Sequence, residues 1–281
     1  MAQPTLQRVQ RLVARQFPQW ASEELRPVPN QGWDNRSYRL GCDKVLRLPS
    51  AERYAPQVLK EQTWLPRLAP HLPVAIPEPL ALGLPDGDYP WHWSVMRWID
   101  GETAQTAPCD PVRLAHDLAT FLGALHRIDA GAGPAAGRDN FHRGGDLSVY
   151  DAETRAVLDQ HPAIHLPKAR AIWDRALSSH WSGAPVWVHG DLAPGNLLLR
   201  QGRLVAVIDW GSSAVGDPAC DLAPAFADLS TRARTALRQS LPLDDATWDR
   251  AKGWALWKAL ITRTDPTQAD RAARTLRALR L

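Results

Sequence analysis

The sequence predicts an α+β fold of two lobes, with a small, antiparallel, β-rich N-terminal lobe and a larger, mostly helical C-terminal lobe. Three observations carry that prediction. Short strand-like runs around a single helix fill the first hundred residues, helical periodicity dominates the remainder, and one apolar hairpin interrupts the helical part. A chain of 281 residues with 44% hydrophobic content can bury a sizeable core. The expected division falls at residues 1–98 and 99–281, joined near Arg97–Gly101.

The elements follow in order. Residues 5–17 place Leu6, Val9, Leu12, Val13 and Phe17 on one helical face, with Pro4 near the first turn. Strand-like runs then alternate with turn residues, and Gly41-Cys42-Asp43 reads as a hairpin turn. Residues 56–68 have helical spacing at Val58, Leu59, Gln62, Leu65 and Leu68, and strands are expected around Leu80–Leu82 and Trp93–Ile99. Asp110 is an N-cap and Pro111 a first helical residue for a helix carrying Leu114, Leu118, Phe121, Leu122, Leu125 and Ile128. After a loop at Ala130–Gly137, helices are expected over 151–158 and 166–181. Strands return at Val186–His189, Leu197–Arg200 and Leu204–Ile208, the last two joined by a turn at Gln201-Gly202. Helices over 218–228, 247–262 and 267–279 finish the chain. Most of the 13 Trp residues belong in the core or between the lobes, because large aromatics bury well.

Several classes of function are disfavoured. A net charge of +3, with no basic stripe or stacking motif, gives no reason to expect a nucleic-acid partner. Cys42, Cys109 and Cys220 are odd in number and widely spaced, which fits neither a disulfide framework nor a zinc site. The opening MAQPTLQRVQRLVARQF lacks the apolar stretch of a signal peptide, and no run of 18 apolar residues occurs. A cytoplasmic location with no membrane partner is therefore expected.

The chemistry concentrates in residues 186–223. An apolar strand ends at His189-Gly190-Asp191, a tight turn through Pro194-Gly195 follows, and Asn196 opens a hairpin whose second strand ends at Asp209. Two acids and a carboxamide thus converge where strands meet. Phosphoryl transfer calls for such a set: metal ions neutralising the migrating group want hard oxygen ligands, and the acceptor hydroxyl needs a carboxylate to orient it and take its proton. On this reading Asp191 serves the acceptor hydroxyl, and Asn196 and Asp209 hold Mg2+. Any one of them alone would read as a turn or cap residue; the ordered combination is what points to catalysis.

The segments HGDLAPGN (189–196), IDWG (208–211) and GDPACDLA (216–223) resemble the catalytic loop, the metal-binding segment and the following motif of the aminoglycoside phosphotransferase family, part of the protein-kinase-like fold. The resemblance covers nearly the whole chain. It implies that Asp191 is the catalytic carboxylate and that Asn196 and Asp209 are Mg2+ ligands with ATP as co-substrate. It also implies that His189 holds the loop through hydrogen bonds rather than acting as a base, and that Asp221 fixes the loop carrying Asp191. Asp217 and Pro218 would start the next helix. In the nucleotide half, the turn NQGWDNRSYRL (30–40), with Gly32 and Asn35, would cover the phosphates. Arg47 would touch them and Glu61 would hold Arg47. Main-chain groups of Met96–Trp98 would meet the adenine edge. Strand alternation puts Lys44 on the face opposite Arg47. Arg47 departs from the lysine of the wider superfamily. The single glycine at Gly32, and GDPACDLA in place of an A-P-E segment, separate the chain from protein kinases.

The acceptor is left open among aminoglycosides, macrolides, sugars, amino alcohols and other hydroxylated metabolites. A polycation would need acidic residues, for which Asp146, Asp151, Glu153, Asp228, Asp244 and Asp245 are the candidates; against it, the tail is basic, with Arg277 and Arg280. Residues 139–151 are expected to form a lid over the acceptor. The competing reading is a nucleotide-binding pseudokinase acting as a regulatory or binding module.

Overall fold

The computed structural model describes residues 4–29, 31–160 and 166–281. Helix α1 (Leu6–Gln16) precedes strands β1 (Leu25–Pro27), β2 (Asn35–Leu40) and β3 (Lys44–Pro49), helix α2 (Ala55–Leu68) and strands β4 (Pro79–Gly83) and β5 (Trp93–Arg97). The five strands form one antiparallel sheet in the order β1-β2-β3-β5-β4. Gly41, at φ 58°, opens the β2–β3 turn in the left-handed conformation that glycine adopts without strain. Apolar residues at alternate positions of β3 (Leu46, Leu48) join Val9, Leu12, Trp93 and Val95 in the smaller of two hydrophobic cores.

Beyond β5 come β6 (Glu102–Thr103), α3 (Pro111–Leu125), α4 (Asp151–Asp159), α5 (Leu166–Leu177), β7 (Val186–Val188), β8 (Leu197–Arg200), β9 (Arg203–Val207) and β10 (Ala214–Gly216). Helices α6 (Ala219–Leu222), α7 (Pro224–Ala227), α8 (Thr231–Ser240), α9 (Asp245–Thr262) and α10 (Ala269–Ala278) complete the chain. The β8–β9 turn puts both Gln201 (φ 52°) and Gly202 (φ 71°) in the left-handed region, as a tight two-residue hairpin requires. Asp110 caps α3 by accepting from the Val112 and Arg113 amides. The larger core includes Trp173, Trp187, Trp210, Trp248 and Trp254 and draws in Leu65, Leu68 and Met96 from the N-terminal part, so that α2 and the end of β5 tie the lobes together.

The two-lobed α+β architecture is as expected, and some boundaries differ. The helix expected to reach residue 181 stops at Leu177, where Ser178 turns its hydroxyl onto the Arg175 carbonyl and competes with the helix. The helix expected over 218–228 is two short ones, because Pro224 has no amide to continue α6. Helix α8 was not anticipated. Its sequence TRARTALRQS buries only Ala233, Ala236 and Leu237, although Ser230 supplies a cap that accepts from the Ala233 amide. The two-residue β6 and the three-residue β10 carry too little pattern to be read in advance.

One ion pair locks the helical part behind the site. Arg250 of α9, only 4% exposed, donates from Nε to Asp217 Oδ2 at 2.6 Å and from Nη2 to Asp217 Oδ1 at 3.2 Å. Its remaining donors reach Ser179 and Thr247. Asp217 also accepts from the Ala219 amide, so this pair sets where α6 begins. Truncating one member leaves the other charge buried without a partner, which costs about 3–5 kcal/mol. Arg250→Ala is therefore expected to lower the urea unfolding free energy by about that much; a loss below about 1 kcal/mol would remove the pair from this role.

Candidate active site

The loop between β7 and β8 is held from below by Asp221 of α6. Its Oδ2 accepts from the His189 amide and its Oδ1 from the Gly190 amide, both at 2.7 Å. Burial raises the Asp221 carboxyl above its usual range, while His189 and the two amides pull it back. Gly190 sits at φ 84°, and a Cβ there would lie 2.5 Å from the Ser212 carbonyl oxygen, so the bend before Asp191 requires glycine. The His189 ring is fully buried. Its Nδ1 accepts from the Asp191 amide at 3.2 Å, which leaves Nε2 to donate to the Ile208 carbonyl at 3.1 Å. With both nitrogens engaged, the ring has none left to take a substrate proton.

Beyond this clamp Asp191 is exposed. The Asn196 side-chain amide donates to the Asp191 carbonyl at 2.9 Å and lies 3.4 Å from Asp191 Oδ2. The Asn196 main-chain carbonyl accepts from the Ile208 amide at 2.9 Å, which ties the loop to the residue before Asp209. Asp209 lies at φ 66°, ψ 68°, a left-handed conformation that costs a residue with a side chain roughly 1–3 kcal/mol and persists where its surroundings over-determine it. Those surroundings are visible. The Trp210 indole donates to the Val207 carbonyl at 2.9 Å, and Lys60 of α2 donates to the Gly211 and Ser213 carbonyls at 2.6 and 2.8 Å.

Arg47 of β3 spans the cleft. Its Nη1 donates to both Glu61 oxygens at 2.9 Å, and its Nη2 donates to Asp209 Oδ1 at 2.5 Å. Burial opposes its charge, but Glu61 and Asp209 outweigh that and hold the guanidinium protonated. The expected partnership with Glu61 is present. Lys44 points the other way and pairs with Glu23 and Asp43.

Asp191, Asn196, Asp209, Arg47 and Glu61 thus come together. The other nucleotide-half residues are placed differently. Asn30, which begins the expected phosphate-covering turn, lies outside the described residues. Gly32 has open space where a Cβ would be, so packing does not demand glycine there, and its carbonyl accepts from Arg36. Asn35 begins β2 opposite Pro49. Met96 is fully buried and its side chain joins the larger core. The Arg97 and Trp98 amides donate to the Glu78 and Asp43 carbonyls at 2.8 and 2.7 Å. Both amides are thus already paired, because pairing continues past the end of β5.

Two contributors were missed from sequence. Lys60 looks like any helix-surface lysine, yet burial lowers it to about 8. Asp34 stands in the GWDN turn, where adjacency to Asn35 was the only cue. Burial first, then repulsion from Asp209 and Asp191, raises it to about 6, although the Gln57 side chain donates to it. Asp34 therefore shares one electrostatic field with the two site carboxylates.

A cavity opens beside Asp191, walled by Arg143, Trp254, Lys258 and Arg271. None of the six acids considered for a polycation lines it. Asp146 caps Ser148 and pairs with His180, Asp151 and Glu153 accept from the Trp173 and Trp257 indoles, and Asp228 pairs with Arg271. Asp244 caps Thr247, and Asp245 pairs with Arg238. Within the 139–151 segment, the buried Asn140 bonds the Gly137 amide and the Arg143 and Ser212 carbonyls, and Arg143 lines this cavity.

The chain matches the model of the phosphotransferase enzyme family over residues 24–254. No curated protein sequence matches it. Among solved structures, the GDP and kanamycin complex of an APH(2")-III enzyme superposes with a TM-score of 0.72 at 18% identity, covering 97% of each chain. The macrolide 2'-phosphotransferase MphH of Brachybacterium faecium gives 0.64 at 23% identity, with 98% of this chain and 97% of that one covered. The streptomycin–ATP ternary complex of APH(2")-IIa gives 0.62 at 19%, covering 99% and 97%. At these identities the likeness establishes the fold.

The Asp34 shift makes a prediction. Its folded-state value lies above the ordinary 3.8, so the stability it contributes is complete below about 3.8 and is lost as pH rises through about 6. In metal-free buffer, the urea midpoint of the wild type should fall relative to Asp34→Asn across that window and run parallel above it. Parallel curves from pH 4 to 7 would show that Asp34 is not perturbed.

Proposed function

This chain belongs to the phosphotransferase enzyme family, and we propose that it moves the terminal phosphoryl group of a nucleoside triphosphate, with ATP as the expected donor, onto a hydroxyl of a small molecule. Residues 1–98 act as the nucleotide-binding lobe and residues 99–281 as the catalytic and acceptor-binding lobe. The observation that carries this reading is the tie between the two loops: Asn196 bonds Asp191 through its side chain and the Ile208 amide through its carbonyl, beside Asp209.

The donor set fits magnesium. Asn196 offers its side-chain oxygen and Asp209 its Oδ2, neither of which accepts a hydrogen bond from the described residues, and Mg2+ is commonly held by one or two protein oxygens with substrate phosphates completing the octahedron. Among the described residues no group of three His, Cys, Asp or Glu could hold a metal, which suits an ion that arrives with a nucleotide. Once bound there, it supplies charge neutralisation at the phosphates.

The protein's own residues do the rest. Arg47, fixed by Glu61, presents a permanent cation to the phosphates and restrains Asp209. The amide on Asp191 Oδ2 holds that carboxylate beside the acceptor, where it accepts the hydroxyl proton. The bond from the terminal phosphorus to the bridging oxygen breaks as the bond to the acceptor oxygen forms, and the nucleoside diphosphate leaves. A pseudokinase would have no need of the complete Asp191, Asn196 and Asp209 set.

Chelating divalent metal should abolish acceptor phosphorylation. Asn196→Ala and Asp209→Ala should each lower kcat/KM by about 10²-fold or more. Asp191→Ala should lower kcat with little change in nucleotide KM. Unchanged turnover in Asp191→Ala would remove Asp191 from that role, and absence of metal-dependent turnover in the wild type would favour the pseudokinase reading.

A further inference from the structure

The cavity beside Asp191 carries the charge information that the acceptor must match. It touches Asp191 but not Arg47, Glu61, Asn196 or Asp209, so it belongs to the acceptor half rather than the nucleotide half. Three cations line it: Arg143, Lys258 and Arg271. Arg271 is neutralised by Asp228, with Nη2–Oδ2 at 2.6 Å and Nε donating to both oxygens. The other two are not. Among the described residues, no hydrogen bond or ion pair engages the Lys258 ammonium or the Arg143 guanidinium. Asp191 is the one carboxylate in the lining.

Arg143 is nevertheless held in place. Its guanidinium lies 5.0 Å from the Trp254 ring centroid and 4.9 Å from that of Trp257. Trp257 stacks on Tyr150 at 4.0 Å and donates to Glu153. The loop carrying Arg143 is pinned through Asn140. The fork therefore faces the cavity from a rigid aromatic base and need not be ordered on binding. Lys258, one turn on from Trp254 along α9, is pushed below the usual lysine range by burial and by the like charges of Arg143 and Arg271, with Asp191 and Asp34 opposing. Unpaired, partly buried cations beside the catalytic carboxylate are costly without a ligand of opposite charge.

We propose that the acceptor is an anionic hydroxylated small molecule, one bearing a carboxylate or phosphate group that Arg143 and Lys258 bind while its hydroxyl meets Asp191. The inference rests on the phosphotransferase reading above and adds the class of substrate. Arg143 matches the two oxygens of such a group with its planar fork, and Lys258 adds a point charge. Polycationic acceptors would bring like charge against both residues.

Two measurements test this. The first is direct binding, without nucleotide, of sugar acids and other hydroxycarboxylates, sugar phosphates, neutral sugars, aminoglycosides and macrolides by calorimetry. The anionic compounds should bind. Arg143→Gln and Lys258→Met should each weaken that binding by about tenfold or more, while Lys258→Arg retains most of it. Preference for a hydroxycarboxylate over the matching sugar phosphate, or the reverse, identifies which anion the site takes. The second is nucleoside diphosphate release with the same panel. An anionic acceptor should stimulate it, and the two variants should raise the KM of the acceptor but not that of the nucleotide. Binding of cationic compounds alone, or variants that leave anion binding intact, would overturn the proposal. So would variants that shift only the nucleotide KM, since that would assign the cations to the terminal phosphate. Anion binding that these variants weaken, without metal-dependent turnover of nucleotide under any condition, would instead fail the phosphotransferase reading and leave the anion site standing.

Discussion

Carboxylates that repel one another have to be held in one small site, and much of the surrounding structure answers that constraint. Asp191 and Asp209 stand close enough that both raise the Asp34 carboxyl. Neither is paired by chance. Asp209 is restrained by Arg47, and Asp191 is reached by the Asn196 amide. The loops that carry them are joined to each other through Asn196 and Ile208 and to the C-terminal core through Asp221. A site assembled this way holds its repulsion in place through one ion pair and a few directed hydrogen bonds.

An arginine at position 47 changes how the lobes communicate. A lysine ammonium is a point charge, whereas the guanidinium fork reaches two carboxylates at once, Glu61 on α2 and Asp209 after β9. Lys60 makes a second bridge from α2 to that loop through two carbonyls. One helix therefore holds both the residue that fixes Arg47 and the residue that shapes the loop after Asp209. Movement of α2 would be felt at Asp209 directly.

The cavity beside Asp191 is built on a different principle. Trp254 lines it and contacts Trp257 and Tyr150, and Arg143 and Lys258 line it as well. The acids that sequence reasoning offered for a polycation are used as caps and structural partners instead. Glu153 and Asp151 illustrate this: Glu153 accepts from the Trp257 indole, and Asp151 accepts from the Trp173 indole in the core.

Local signals were enough for most of the strands and helices and to single out Asp191, Asn196 and Asp209 as one set, because capping residues, periodicity and an Asp–Asn–Asp spacing within about twenty residues are all short-range facts. The pairing of Arg47 with Glu61 was legible through the family resemblance, while strand alternation by itself only separates Arg47 from Lys44. What the sequence could not determine is which partner satisfies a charge across long separations. Arg250 with Asp217, Lys60 with the Gly211 carbonyl, and Arg143 over Trp254 each join residues distant in the chain, and no periodicity records them. Helix α8 was hidden because its packing face is mostly alanine. The charge of the cavity beside Asp191 emerged only from folding, because it depends on which acids are already spent elsewhere, and that sum is made in three dimensions.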